Sequence, residues 1–194
     1  MYLGDNHGRI YVTRRADEEF DEGCLVPTFK QSAVRVMVWG CIIEGRKGPL
    51  VVLKYPGGRG GGMNSKRYQE QVLCPVLLDF YRQLDQERKH VKFQQDGASC
   101  HRSKSTLKWF TDHHIPLFPH PPSSPDLNPI EPIWHELKTI IRRLPHPPTT
   151  FDTLKSGVLA AWEEIPIEKI NHQIGKMEKR VKAVLAAHGG HTLF

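Results

Sequence analysis

Apolar positions follow two different periods along the chain. Val34-Arg35-Val36-Met37-Val38-Trp39-Gly40-Cys41-Ile42-Ile43 is a nearly continuous apolar run. It reads as a central strand covered on both faces. Glu44-Gly45-Arg46-Lys47-Gly48 follows as a turn, and Pro49–Lys54 as a returning strand. Further upstream, a turn at Gly4-Asp5-Asn6-His7-Gly8 leads into Arg9–Thr13, which is β-rich and predicts a strand. The first third therefore predicts an antiparallel meander.

From Ser65 to about Glu87 the period changes. Val72/Leu73, Val76/Leu77, Phe80/Tyr81 and Leu84 recur at helical spacing, with Pro75 expected to kink the helix or restart it. Val91–Gln95 alternates like a strand. Ser103 is placed to cap a short helix carrying Leu107 and Phe110, and Ile115–Phe118 reads as another short strand. Prolines at 119, 121, 122, 125 and 129 make the next stretch a stiff loop. A helix then carries Ile130, Ile133, Trp134, Leu137, Ile140 and Ile141 on one face, and Pro145, Pro147 and Pro148 end it. Two more helices follow, over 151–163 and about 166–187. The second bears a heptad-like stripe of Ile167, Ile170, Ile174, Met177, Val181 and Val184. Packing of that stripe on the sheet is the first expectation; a second copy of the chain is the alternative partner. An antiparallel start followed by alternating helices and strands predicts an α/β fold, a mixed sheet with helices on its faces. Residues 1–145 would form the core, and 146–194 a helical extension packed on it.

Length and composition bound the function. A chain of 194 residues supports one substantial core. No apolar run approaches the ~20 residues of a membrane span, and MYLGDNHGRI has no apolar signal-peptide core. The expectation is an intracellular or nuclear protein that is not secreted. Cys24, Cys41, Cys74 and Cys100 have neither zinc-type nor redox-type spacing, so they read as free thiols. The glycine-rich stretch 56–65 is not a Walker loop, because no Lys-Ser/Thr follows at the needed place, and it reads as a connector.

Charge sharpens this picture. The net charge of +6 lies wholly in residues 51–110, which carry eleven Lys/Arg against five Asp/Glu. The segments before and after it are balanced, seven against seven and nine against nine. A basic middle segment suits a polyanion and equally suits a solvated helix face.

Two carboxylates stand out. Asp96 ends the Val91–Gln95 run, and Glu131 lies thirty-five positions later, at the start of the helix behind the proline loop. Each has a local reading: Asp96 as a turn residue before Gly97, and Glu131 as the third position of a helix capped by Asn128 with Pro129 first. Each also has a chemical one. Phosphodiester cleavage needs an activated water and charge neutralisation, which two Mg²⁺ ions about 3.5–4 Å apart supply. Mg²⁺ takes hard oxygen ligands, so carboxylates on neighbouring elements suit it.

The words QQDGA, His101 behind them, and SPDLNPIEPIWHELK at this distance resemble the catalytic core of mariner-type (Tc/mariner) transposases. VMVWGC at 36–41 and MEKRVKAVLAAHGGHT at 177–192 extend the resemblance over nearly the whole chain. It implies an RNase H-like mixed sheet flanked by helices and a D-D-E site in which Asp96 and Glu131 hold Mg²⁺, with Mn²⁺ as substitute. It also implies a DNA partner, no small-molecule substrate and no membrane. Arg59, Lys66, His101, Arg102, Lys104, Lys138, Arg142 and Arg143 are the candidate DNA contacts.

In the family's pattern a first carboxylate, in a word such as Asp-Glu-Ser, precedes the position of Tyr2, where this chain has Met1. The expected reading is an N-terminally truncated D-D-E domain with weakened metal binding and impaired catalysis. Its ancestral reaction is DNA strand cleavage and strand transfer. The alternative is a non-catalytic DNA-binding or interaction module derived from a transposon.

Overall fold

The computed structural model describes residues 2–3, 34–57, 61–122, 124–190 and 192. The predicted strand Arg9–Thr13 lies outside the described residues.

A three-stranded antiparallel sheet forms in the order β1 (Tyr2–Leu3), β2 (Val36–Ile43), β3 (Arg46–Leu53). Ile43 pairs with Arg46, so the hairpin turns on Glu44 and Gly45 alone, tighter than the five-residue turn expected. Gly45 has φ +75°, which a side chain tolerates poorly. The register shifts between Gly40 and Ile42, where Gly48 and Pro49 of β3 bulge opposite the single residue Cys41.

The continuous apolar character of β2 reflects burial on both faces. Val36 and Val38 share a core with Ile133, Trp134, Leu137, Leu154, Val158, Trp162 and Ile170. On the other face, Trp39 packs with Tyr68, Val72, Leu73, Leu77, Tyr81, Trp109 and Phe110. The sheet is thus the middle of three layers, and the C-terminal helices share a core with it.

The first helical segment runs without a break from Ser65 to Arg88: α1 (Ser65–Tyr68), a π-helical stretch (Gln69–Leu77) and α2 (Leu78–Arg88). Pro75 does not restart it. Proline lacks an N–H and its ring would collide with the carbonyl four residues back. The wider π turn gives the ring room, and the Leu78 N–H bonds the Leu73 carbonyl, five residues back.

The expected strand 91–95 shrinks to a single parallel bridge, Phe93 opposite Leu117. The Phe93 N–H donates to the Pro116 carbonyl at 2.9 Å, and the Phe118 N–H donates to the Phe93 carbonyl at 2.8 Å. Side chains take over the neighbouring backbone groups. The Tyr81 hydroxyl donates to the Val91 carbonyl at 2.7 Å, and the Val91 N–H donates to Asp85 at 3.3 Å. The antiparallel strands and this parallel bridge together make the β structure mixed.

Helices α3 (Ser99–Arg102) and α4 (Lys104–Asp112) follow, with Ser103 capping α4 as expected. The proline loop holds a 3₁₀ turn at Pro125–Leu127 and leads into α5 (Glu131–Arg142). The cap position of α5 is Ile130 rather than Asn128. Asn128 instead closes the preceding turn, where its carbonyl accepts the Glu131 N–H at 3.2 Å.

A Thr150/Thr153 capping box starts α6 (Phe151–Glu164). The single helix expected from 166 to 187 is two, α7 (Ile167–Gly175) and α8 (Met177–Ala186), parted at Lys176. The break divides the heptad-like stripe. Ile170 is fully buried and Ile174 packs on the core, whereas Val181 is exposed.

Candidate catalytic carboxylates and their surroundings

Asp96 lies between the Phe93 bridge and α3, and Glu131 is the first residue of α5. Both line a cavity of about 340 Å³ together with Gly97, Ala98, Arg102, His120, Pro122, Ser124, Pro125 and Asn128. Both also line a larger cavity of about 970 Å³ that runs from β2 to Phe93 and Trp134. The chain runs from one carboxylate to the other through α3, α4 and then the stiff proline loop. Gln94 pins that loop: its Nε2 lies 2.9 Å from Nδ1 of His120 and donates to the Leu127 carbonyl at 3.1 Å. At the far end of the loop, Arg180 donates to the Asp126 carbonyl at 3.2 Å and Thr192 donates to the Asp126 carboxylate at 3.3 Å.

The two carboxylates differ in their electrostatics. Oδ1 of Asp96 accepts from Nδ1 of His101 at 2.6 Å and from the Ala98 N–H at 2.9 Å. The His101 bond does most to hold the Asp96 carboxyl down at about 2, so it is ionised at neutral pH. Burial alone would favour a neutral His101 ring, but Asp96 and Cys100, through hydrogen bonds and charge together, outweigh it and lift the ring to about 9. For Glu131, burial raises the carboxyl above the usual range. Asp96 adds to the rise through like charge, and Lys138, two turns along α5, opposes it. Asn128 Nδ2 donates to Glu131 at 3.4 Å.

This donor set fits a hard cation. An ionised carboxylate faces a cavity with a second one whose charge is costly there, and a divalent ion would relieve that cost. Among the described residues, no group of three or more His, Cys, Asp or Glu side chains is arranged to hold a metal.

The basic candidates fall in different places. Arg102 is exposed and lines the smaller cavity with both carboxylates. Lys138 shares the α5 face of Glu131, while Arg142 and Arg143 are exposed at the far end of that helix. Lys104 is exposed at the start of α4, and Lys66 is exposed on α1, 3.9 Å from Glu70. Arg59 lies outside the described residues. His101 is not an open surface residue: its side chain is 14% exposed and its Nδ1 is committed to Asp96. Sequence reasoning missed Gln94, Asn128 and His120. The first two sit inside the recognised words QQD and SPDLNP, but polar residues in a loop give no sign of which backbone they will hold.

Comparison with known proteins follows the same lines. Residues 63–155 match the family described as DDE superfamily endonuclease. The chain is 30% identical over 194 residues to the transposable element Tc1 transposase of Caenorhabditis elegans, covering 99% of this chain and 66% of that protein. It is 36% identical over 154 residues to the Tc3 transposase of the same organism, covering 79% of this chain and 44% of that protein. The Tcb1 transposase of Caenorhabditis briggsae is 34% identical over 188 residues, covering 96% of this chain and 64% of that protein. The chain thus spans less than two thirds of each of these relatives.

Among solved structures, the Mos1 mariner paired-end complex with Mn superposes with a TM-score of 0.70 at 18% identity, covering 98% of this chain and 56% of that one. The Mos1 transposase catalytic domain with raltegravir and Mg gives 0.66 at 20% identity, covering 81% and 77%. The fold is the RNase H-like α/β fold of that catalytic domain.

Proposed function

Because this chain belongs to the Tc/mariner transposases of the DDE superfamily, we propose that its cleft serves Mg²⁺-dependent cleavage and strand transfer of transposon DNA. The observation that carries this reading is that Asp96 and Glu131, thirty-five positions apart, line one cavity. Asp96 and Glu131 would hold the divalent ion. When bound, the ion neutralises charge on the phosphate and acidifies a water. Water attacks phosphorus and the bond to the 3′ oxygen breaks; the freed 3′-hydroxyl then attacks a phosphorus of target DNA, and the 3′ oxygen of the target strand leaves.

The protein residues bind and orient. Arg102 sits beside both carboxylates and is suited to a backbone phosphate next to the cleavage point. Lys138, Arg142 and Arg143 extend positive charge along α5, and Lys104 adds to it from α4. Three of the Mos1 structures are described as paired-end complexes, one of them with the left transposon end, which supports DNA as the partner here. A DNA substrate implies a nuclear site of action.

Plasmid nicking in Mg²⁺ and in Mn²⁺ tests the proposal. Since no third ligand joins the pair among the described residues, the chain is compared with a version carrying an Asp-Glu word just upstream of Tyr2. The extended chain is expected to nick efficiently, and Asp96→Ala or Glu131→Ala in it to abolish nicking. Nicking that survives Asp96→Ala would place the chemistry elsewhere.

A further inference from the structure

We infer that His101 is a positioning residue for Asp96, holding one carboxylate oxygen so that the other is kept for a cation. This rests on the reading of Asp96 as a metal-binding carboxylate. Both hydrogen bonds to Asp96, from His101 Nδ1 and from the Ala98 N–H, converge on Oδ1. Among the described residues nothing bonds Oδ2. Two donors on one oxygen fix the carboxylate's rotation, and a fixed carboxylate loses less entropy when it binds a metal.

The ring is itself held. Its centroid lies 4.5 Å from that of Tyr68, which is 1% exposed. The Tyr68 hydroxyl donates to Gln95 Oε1 at 3.2 Å, and Gln95 Nε2 donates to the His101 carbonyl at 3.3 Å. Tyr68, Gln95 and His101 thus form a circuit behind Asp96. One turn further on, the buried Thr106 hydroxyl ties α4 to α3 through the Cys100 carbonyl at 2.7 Å. A histidine that served only as an outward contact to DNA would need none of this support.

The experiment separates the hydrogen bond from the packing. His101→Phe keeps an aromatic ring against Tyr68 and removes the donor. His101→Asn places an amide nitrogen where Nδ1 stood and restores it. Mn²⁺ affinity of the purified chain, read by calorimetry or by electron paramagnetic resonance, is expected to fall roughly 10–100-fold in His101→Phe. It should stay near wild type in His101→Asn, with similar melting temperatures in all three proteins. Wild-type Mn²⁺ affinity in His101→Phe, combined with loss in Asp96→Ala, overturns the positioning role and leaves the metal site standing. Mn²⁺ binding that is absent in wild type, or unchanged in Asp96→Ala, overturns the metal site itself and the positioning role with it. Should His101→Phe fail to fold, ¹⁵N NMR of the wild-type ring decides: Nδ1 must carry the proton, and its signal must move in Asp96→Asn. A ring protonated only at Nε2 overturns the inference.

Discussion

A Cβ on residue 40 would stand 2.8 Å from Cη2 of Trp134, closer than carbon atoms approach without displacement. Gly40 leaves the surface of β2 open at the point where that indole rests, and Trp134 stacks on Trp162 with centroids 5.5 Å apart. Trp134 follows Glu131 by three residues in the same helix, so the seating of the indole on β2 helps set where the carboxylate stands. Gly40→Val should therefore destabilise the fold by about 1–3 kcal/mol through overpacking. Urea unfolding measures that loss, and Mn²⁺ affinity should fall with it. A Gly40→Val protein as stable as wild type would show that the indole is not confined there.

The pair formed by Asp96 and His101 makes stability depend on pH. The Asp96 carboxyl sits at about 2 against an ordinary 3.8, so its contribution is present above 3.8 and is lost as pH falls through about 2. The His101 ring sits at about 9 against an ordinary 6.5, so its contribution is complete below 6.5 and is lost as pH rises through about 9. The two shifts report one contact and are not added. Stability should be flat from about pH 4 to 6.5 as far as this pair is concerned, then decline toward pH 9. Denaturant midpoints at pH 6, 8 and 9.5 test this. The wild type should lose more than His101→Asn over that range, and equal losses in the two would refute the coupling.

Arg180 is buried on α8, and its guanidinium donates to the Asp126 carbonyl and to Gln173 Oε1 at 2.9 Å. Asp126 belongs to the loop that leads into Glu131. Arg180→Ala should leave those half-buried acceptors without this donor and cost about 1 kcal/mol. It should also raise the rate of proteolytic cutting within 119–129, as mass spectrometry of the fragments would show. An unchanged cutting pattern would mean that the C-terminal helix does not restrain the loop.

Much of this arrangement was legible in the chain, for reasons visible in particular residues. The apolar run of β2 announced two covered faces, and Trp39 and Val38 do face opposite cores. Ser103 capped α4 as its side chain requires. Other features depended on contacts that a local pattern does not carry. Pro75 signalled a break, but the packing of Val72, Leu73 and Leu77 in the core keeps the helix continuous, and a π turn resolves the conflict. Val91–Gln95 alternates like a strand, yet Tyr81 and Asp85 claim the backbone groups at its start. The resemblance brought Asp96 and Glu131 forward as a pair. It offered His101 as a DNA contact, because a sequence shows that a histidine follows an aspartate and not that its ring turns back onto it.

The last prediction concerns DNA. The excess positive charge of residues 51–110 includes Arg102, beside the carboxylates, and Lys104 on α4. Lys138, Arg142 and Arg143 carry positive charge along α5. Contacts of this kind neutralise phosphates and carry no base information. Binding of the chain to short duplexes should then be indifferent to sequence, and log affinity should fall linearly with log salt, with a slope of roughly −0.9 for each phosphate contacted. Replacing Lys138 or Arg102 by Ala should weaken binding equally on unrelated duplexes and make the slope shallower by about one. Fluorescence anisotropy at rising NaCl measures both quantities. Arg102→Ala is the more informative of the two, because that side chain also borders the cavity of Asp96 and Glu131. If Arg102 orders the phosphate at the cleavage point, its loss should reduce nicking by more than the loss of affinity explains, even at saturating DNA. A strong preference for one sequence, or affinity that ignores salt, would mean that this surface does not meet the DNA backbone.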